Sequence, residues 1–194
     1  MDRYVNWIGR EAKHAAFDGI EAPVVCEIGP GVGMNLAWYP PDARMVAIEP
    51  NVRMHDALRR RCSSHGVELE ALHVGGAEDM PLPDGSVDEV VSSLVLCTVE
   101  DPDAVLAEVH RVLRPGGRFR FVEHIVATPG SLRRSVQRLL HRPWSWAFEG
   151  CQLDRDIPAS LHKAGFADLD FQIGRFRHSV FFPVNRAVWG TALR

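Results

Sequence analysis

Three glycines at alternating positions follow a short apolar run in Val24-Val25-Cys26-Glu27-Ile28-Gly29-Pro30-Gly31-Val32-Gly33, with Asn35 just beyond. Glycines so placed let the backbone turn sharply and let a ligand approach without Cβ clashes. A helix start after such a loop offers free N–H groups and a positive dipole end to an anion. That anion is either a pyrophosphate or an amino-acid carboxylate, and the spacing separates the two. A dinucleotide fingerprint, G-x-G-x-x-G, would put its third glycine at position 34, which is Met34. The loop instead reads G-x-G-x-G behind an acid. A carboxylate at Glu27 repels a pyrophosphate and attracts an ammonium, so the pattern suits a zwitterionic amino acid. The plainer reading, glycines that only turn the chain and an acid that only caps the turn, uses the same residues.

Further along, Glu49 closes a second apolar run just before Pro50. A carboxylate about twenty residues past the first glycine can accept two hydrogen bonds from a ribose diol. His124 ends a later apolar run in Val122-Glu123-His124, and Asp154 lies in Leu153-Asp154-Arg155-Asp156. Strand ends face the ligand crevice in open α/β sheets, so His124 is a candidate general base, with Asp154 and Asp156 behind it. The four cysteines, Cys26, Cys62, Cys97 and Cys151, lie far apart with no C-x-x-C and no paired Cys/His spacing. No metal site and no disulfide framework is expected, and reduced thiols fit a cytoplasmic protein. Cys97 reads as a small pocket or core residue.

The elements that must position these residues alternate. Strands are expected at 24–28, 45–48, 69–74, 87–94 and 118–123. Helices lie between them, one capped by Asn51 and stopped by Gly66, another opened by Asp101-Pro102 and ended by Pro115-Gly116-Gly117. Residues 131–148 read as an amphipathic helix broken at Pro143, residues 156–164 as a short helix stopped by Gly165. Residues 168–173 and 187–193 read as two closing strands, a hairpin-like pair. The expected fold is α/β: a Rossmann-like, mostly parallel seven-stranded sheet with helices on both faces and an antiparallel C-terminal strand.

With 194 residues, one domain is expected over 1–194. It divides into a short N-terminal cap helix at 1–23, a ligand-binding core at 24–125, a lid insertion at 126–165 and closing strands at 166–194. The 22 basic and 25 acidic residues leave a net charge of −3, without the basic excess that general nucleic-acid binding needs. No apolar stretch is long enough to span a membrane, and the first residues lack a signal-peptide core.

Downstream, Gly75-Gly76-Ala77-Glu78 leads into Leu82-Pro83-Asp84-Gly85-Ser86. Together with Glu27–Gly33, Glu49-Pro50 and Leu113-Arg114-Pro115-Gly116-Gly117, this order resembles the class I S-adenosylmethionine-dependent methyltransferases of the ubiquinone/menaquinone-biosynthesis type, over roughly residues 24 to 125. The resemblance implies S-adenosylmethionine as cofactor. It assigns the methionine end to Gly29, Gly31 and Gly33, the ribose to Glu49, the adenine to the Gly76-Ala77-Glu78 turn, and the pocket wall to Ser93 and Leu94. Many relatives carry an aspartate where Gly76 stands, so the adenine contact here falls to backbone or to Glu78.

A narrower set, Ser93 to Val99, Glu123-His124 and Phe148 to Arg155, is similar to the thiol S-methyltransferase branch and its bacterial relatives. It implies methylation of small exogenous or metabolite thiols. The chain as a whole is read as methylating a small-molecule thiol or hydroxyl, with a non-catalytic regulatory or assembly role or an amine or lipid-headgroup acceptor as alternatives. The eukaryotic branch has an N-terminal membrane anchor, which this sequence does not match. The arginine-rich stretch Leu132–Trp146 is read as a lid that packs Leu and Trp over the acceptor, with a membrane-surface helix as the alternative. The short segment before residue 24, with Tyr4, Trp7, Ile8 and Phe17 as its apolar face, suggests an open pocket that a second copy could complete as a homodimer.

Overall fold

The computed structural model describes residues 2–177 and 179–194. Strands β1 (Val24–Ile28), β2 (Arg44–Ile48), β3 (Glu68–His73), β4 (Val87–Ser93), β5 (Leu113–His124), β6 (Asp168–Arg175) and β7 (Arg186–Leu193) form one sheet in the order β3-β2-β1-β4-β5-β7-β6. The first five run parallel. β7 is antiparallel to both β5 and β6, closing the sheet with the expected pair. Strand order reverses between β1 and β4, and an open α/β sheet carries its ligand crevice outside the strand ends at that point.

Every residue of β1 is buried, because both faces of the sheet are covered. Cys26 and Ile28 pack with Leu106, Val109, Phe119 and Phe121 on one side. Val25 packs with Phe17, Leu36, Met45 and Leu58 on the other. Successive strand side chains alternate between faces, so Glu27 shares Val25's face rather than pointing out of the strand end.

Helix α3 (Val52–His65) starts where Asn51 accepts the Arg53 N–H and stops at left-handed Gly66. α4 (Pro102–Val112) starts where the Asp101 carboxylate accepts from Asp103 and Ala104. It ends before the expected Pro115-Gly116-Gly117. Leu113 is already extended, and these residues form an irregular start to β5, where the Gly116 N–H reaches the Arg194 carbonyl at 3.0 Å. The N-terminal segment is two helices meeting at Gly9, α1 (Asp2–Ile8) and α2 (Arg10–Phe17), not one. Arg120 on β5 seats α2. It donates to buried Glu89 at 2.9 Å and to the carbonyls of Ala16 (2.9 Å) and Gly19 (2.8 Å).

The late helix α5 (Leu132–Ala147) runs through Pro143 without breaking. Proline removes one N–H, whose acceptor would be the carbonyl of solvent-exposed Leu139, so water can replace the lost bond. A short helix, α6 (Ile157–Lys163), follows, with Asp156 as its cap. No helix among the described residues is long and apolar enough to cross a membrane.

Candidate functional site

The glycine loop after β1 needs glycine for two different reasons. Gly29 has φ +59, and a Cβ there would sit 2.6 Å from Val95 Cγ2. Gly31 has φ +57, but a Cβ there would meet open space. Gly29 closes the loop against the β4 turn, and Gly31 faces a crevice of about 760 Å3. Of the residues expected to hold a ligand, Gly29, Gly31, Glu49, Pro50, Gly76, Ala77, Glu78, Ser93 and Leu94 line this crevice. Leu94 turns away from β4 at φ +60, which directs the chain around the rim.

Glu27, Gly33 and Asn35 do not line it. Glu27 is 1% exposed on the side of the sheet that α2 covers, and both its oxygens are engaged internally. Asn35 Nδ2 donates to one at 2.7 Å and the Tyr39 hydroxyl to the other. Asn35 in turn accepts from Lys13 of α2 at 2.7 Å, and Lys13 also donates to Asn6 at 2.6 Å. Glu27 therefore braces the loop and its cap instead of meeting an ammonium directly. Burial raises the Glu27 carboxyl above its usual range, opposed by the Tyr39 and Asn35 bonds and the Lys13 charge. Burial lowers Lys13 to about 8, opposed by Glu27.

Glu49 stands at the floor of the crevice, 5% exposed. Its oxygens accept the N–H of Gly31 and of Asn51, both at 2.8 Å. An ionised carboxylate has about four acceptor sites, so each oxygen keeps one for a ligand hydroxyl. At the far side, a Cβ on Gly76 would collide with Glu78 Oε2, and Glu78 Oε1 accepts the Glu100 N–H at 2.9 Å. The space that a side chain at 76 would need is filled by the Glu78 carboxylate. Arg111 of α4 clamps the loop beyond, donating to the carbonyls of Met80 (2.9 Å) and Leu82 (2.7 Å) while Glu108 accepts the Met80 N–H.

The lining that sequence reading missed includes Met54, Val95, Thr98, Val99, Glu100 and Glu149. Glu149 belongs to the insertion and comes to the rim through a left-handed turn at φ +50. With Glu49, Glu78 and Glu100 it makes four carboxylates, and among the described residues no Lys or Arg lines the crevice. A backbone bond from Gln152 to the Cys97 carbonyl (2.7 Å) and Arg155 bonds to the carbonyls of Val99 (2.8 Å) and Glu100 (2.9 Å) fasten the insertion there.

Neither expected base reaches the crevice. His124 is buried, with Nε2 3.0 Å from Cys151 Sγ. Asp154 lies 3.6 Å from His141 in a separate groove along α5. Asp156 is spent on its helix cap. Cys151 Sγ also lies 3.7 Å from Cys97 Sγ and accepts from Trp144 Nε1 at 3.4 Å. The Cys97 hydrogen bond, then His124 and Trp144, pull the Cys151 thiol far below its usual range, while Cys97 is pushed up.

The lid expectation also inverts. Leu132, Leu139 and Trp146 are 75, 79 and 90% exposed, and none of them lines the crevice. α5 is held instead by buried Gln137, bonded to Ala127, Ile125 and Pro183 backbone, and by Trp144 packed on Phe148 and Phe181.

A methyltransferase domain family matches residues 26–121. The human thiol S-methyltransferase TMT1A is 38% identical over 148 residues, 75% of this chain and 61% of that protein. The rat thiol S-methyltransferase TMT1B is 35% identical over 172 residues, 87% of this chain and 69% of that protein. The chain thus spans about three-fifths to two-thirds of the length of these relatives. Among solved structures, a geranyl diphosphate methyltransferase in complex with S-adenosylmethionine superposes with a TM-score of 0.71 at 16% identity, covering 100% of this chain and 85% of that one. Strand order, crevice position and these relatives agree, and the chain belongs to the class I S-adenosylmethionine-dependent methyltransferase family.

Proposed function

We propose that this protein transfers the methyl group of S-adenosylmethionine to the sulfur of a small-molecule thiol. The observation that carries the cofactor half is the charge of the crevice: among the described residues four carboxylates and no cationic side chain line it. Such a lining opposes a pyrophosphate and attracts a ligand bearing sulfonium and ammonium charges. The thiol half is supported by the named relatives.

In this reading Glu49 accepts the ribose hydroxyls, Gly29 and Gly31 leave room for the methionine end, and Ala77 and Glu78 flank the adenine. Ser93 and Leu94 form the wall beneath the reacting end, and Val95, Thr98, Val99 and Glu149 border the acceptor. Residues 24–125 then supply the cofactor contacts and, through Val95, Thr98 and Val99, part of the acceptor wall, to which the 126–165 insertion adds Glu149. S-adenosylmethionine, when bound, supplies a methyl group already activated by its sulfonium. The protein's part is to align the acceptor in line with that methyl and to exclude water. A thiol with a pKa near 8.5 needs little help from a base, which fits a crevice that neither His124 nor Asp154 reaches.

The test is calorimetry with S-adenosylhomocysteine and NAD, followed by labelled methyl transfer to a panel of thiols, phenols and amines. Binding of S-adenosylhomocysteine alone, with transfer to thiols, is expected. Transfer to amines but not thiols would reject the acceptor, and NAD binding would reject the cofactor.

A further inference from the structure

Cys97 follows β4, His124 is the last residue of β5, and Cys151 lies in the insertion, so three distant segments deliver three soft donors to one buried point. Their ligand atoms all lie within 4.8 Å of one another. We propose that Cys97, His124 and Cys151 form a binding site for one thiophilic divalent cation of the zinc class.

The geometry is close to what such an ion requires. Zinc–sulfur bonds of about 2.3 Å in a tetrahedron set their sulfurs roughly 3.8 Å apart. The Cys97 and Cys151 sulfurs are 3.7 Å apart already. The tetrahedral sulfur–nitrogen edge is about 3.5 Å, against 3.0 Å between Cys151 Sγ and His124 Nε2, so the ring has to withdraw by a fraction of an ångström. His124 Nε2 is the ring atom that faces Cys151, and Nδ1 is buried with no hydrogen-bond partner among the described residues.

Charge favours a divalent ion. Two thiolates and a neutral imidazole around a 2+ centre sum to zero, which suits a site whose three donors are buried. The backbone bond from Gln152 to the Cys97 carbonyl keeps two of the donor segments together without metal. Three protein donors leave a fourth position for water or another small donor. An occupied site would tie the insertion to the ends of β4 and β5, beside the wall formed by Thr98 and Glu149.

Chelator-treated, fully reduced protein should be titrated with Zn2+ against a chromophoric competitor and with Cd2+ while the thiolate-to-metal charge-transfer band is followed. One equivalent should bind and raise Tm. Cys97→Ser and Cys151→Ser should each lower affinity by at least about tenfold and weaken the band, whereas Cys62→Ser, in the opposite core, should change neither. X-ray absorption on the zinc-loaded unmutated protein, which needs no variant to fold, should show two sulfur donors and one imidazole. Failure to bind one equivalent, a band that survives both serine variants, or a first shell without two sulfurs would overturn the assignment.

Discussion

Glu49→Gln is the sharpest probe of the crevice. The substitution keeps the side chain's size but removes its charge and replaces one acceptor oxygen with a donor. Glu49 oxygens receive the N–H groups of Gly31 and Asn51 at 2.8 Å each, so the new NH2 must face one of these donors. One charge-assisted bond to the ribose is also weakened. Hydrogen bonds to charged groups contribute about 1.5–3 kcal/mol, and this residue is only 5% exposed, so solvent does little to mask the change. The expected loss of S-adenosylhomocysteine affinity is about 10- to 150-fold. S-adenosylmethionine, with one more positive charge, should lose somewhat more. Isothermal titration at fixed ionic strength measures both. Glu70→Gln removes the same formal charge at a surface pair with Arg44, outside the crevice, and serves as the control. Affinity within twofold of the unmutated protein, or an equal loss in the control, would refute the role given to Glu49.

The glycine loop gives a contrasting pair. Gly29→Ala combines a left-handed backbone with a clash on Val95 and should cost about 2–4 kcal/mol of stability by denaturant unfolding. Gly31→Ala, at a similar φ but facing open space, should cost about 1–2 kcal/mol and should weaken cofactor binding instead. Arg120→Met strands the Glu89 carboxylate and the α2 carbonyls, so a loss of about 3–5 kcal/mol, or roughly 6–20 °C in Tm, is expected. An undiminished Tm would show that α2 does not depend on this pair. Lys13 sits at about 8 when folded and at its ordinary value of 10.5 when unfolded. Below 8 both states are charged and the fold bears the full burial cost. Between 8 and 10.5 the unfolded chain binds more protons, so stability rises with pH. Lys13→Met should remove this rise, worth about 2 kcal/mol between pH 7.5 and 9.5, when urea midpoints at those two pH values are compared with the unmutated protein.

Much of this molecule is legible in short stretches of chain. Asn51, Gly66, Asp101 and Pro102 mark helix ends through contacts a few residues long, and the structure uses each as expected. Gly29 and Gly31, Glu49 and the Gly76–Glu78 turn line the crevice because strand ends position them directly. Where local signals compete with packing they mislead. Pro143 reads as a break, yet α5 continues because Gln137 anchors it and the orphaned carbonyl is at the surface. Leu132, Leu139 and Trp146 read as a buried face, yet the other side of the helix carries the docking contacts.

What the chain order settled alone was the strand–helix alternation, the glycine turn and the acid at the second strand's end, since each depends on neighbours within a few residues. Only tertiary pairing settled where side chains ended up. Alternation along a doubly covered strand put Glu27 against Asn35 and Tyr39 instead of in the crevice. The return of the insertion over β4 and β5 brought Cys151 to Cys97 and His124, across 54 and 27 residues, which no local spacing encodes.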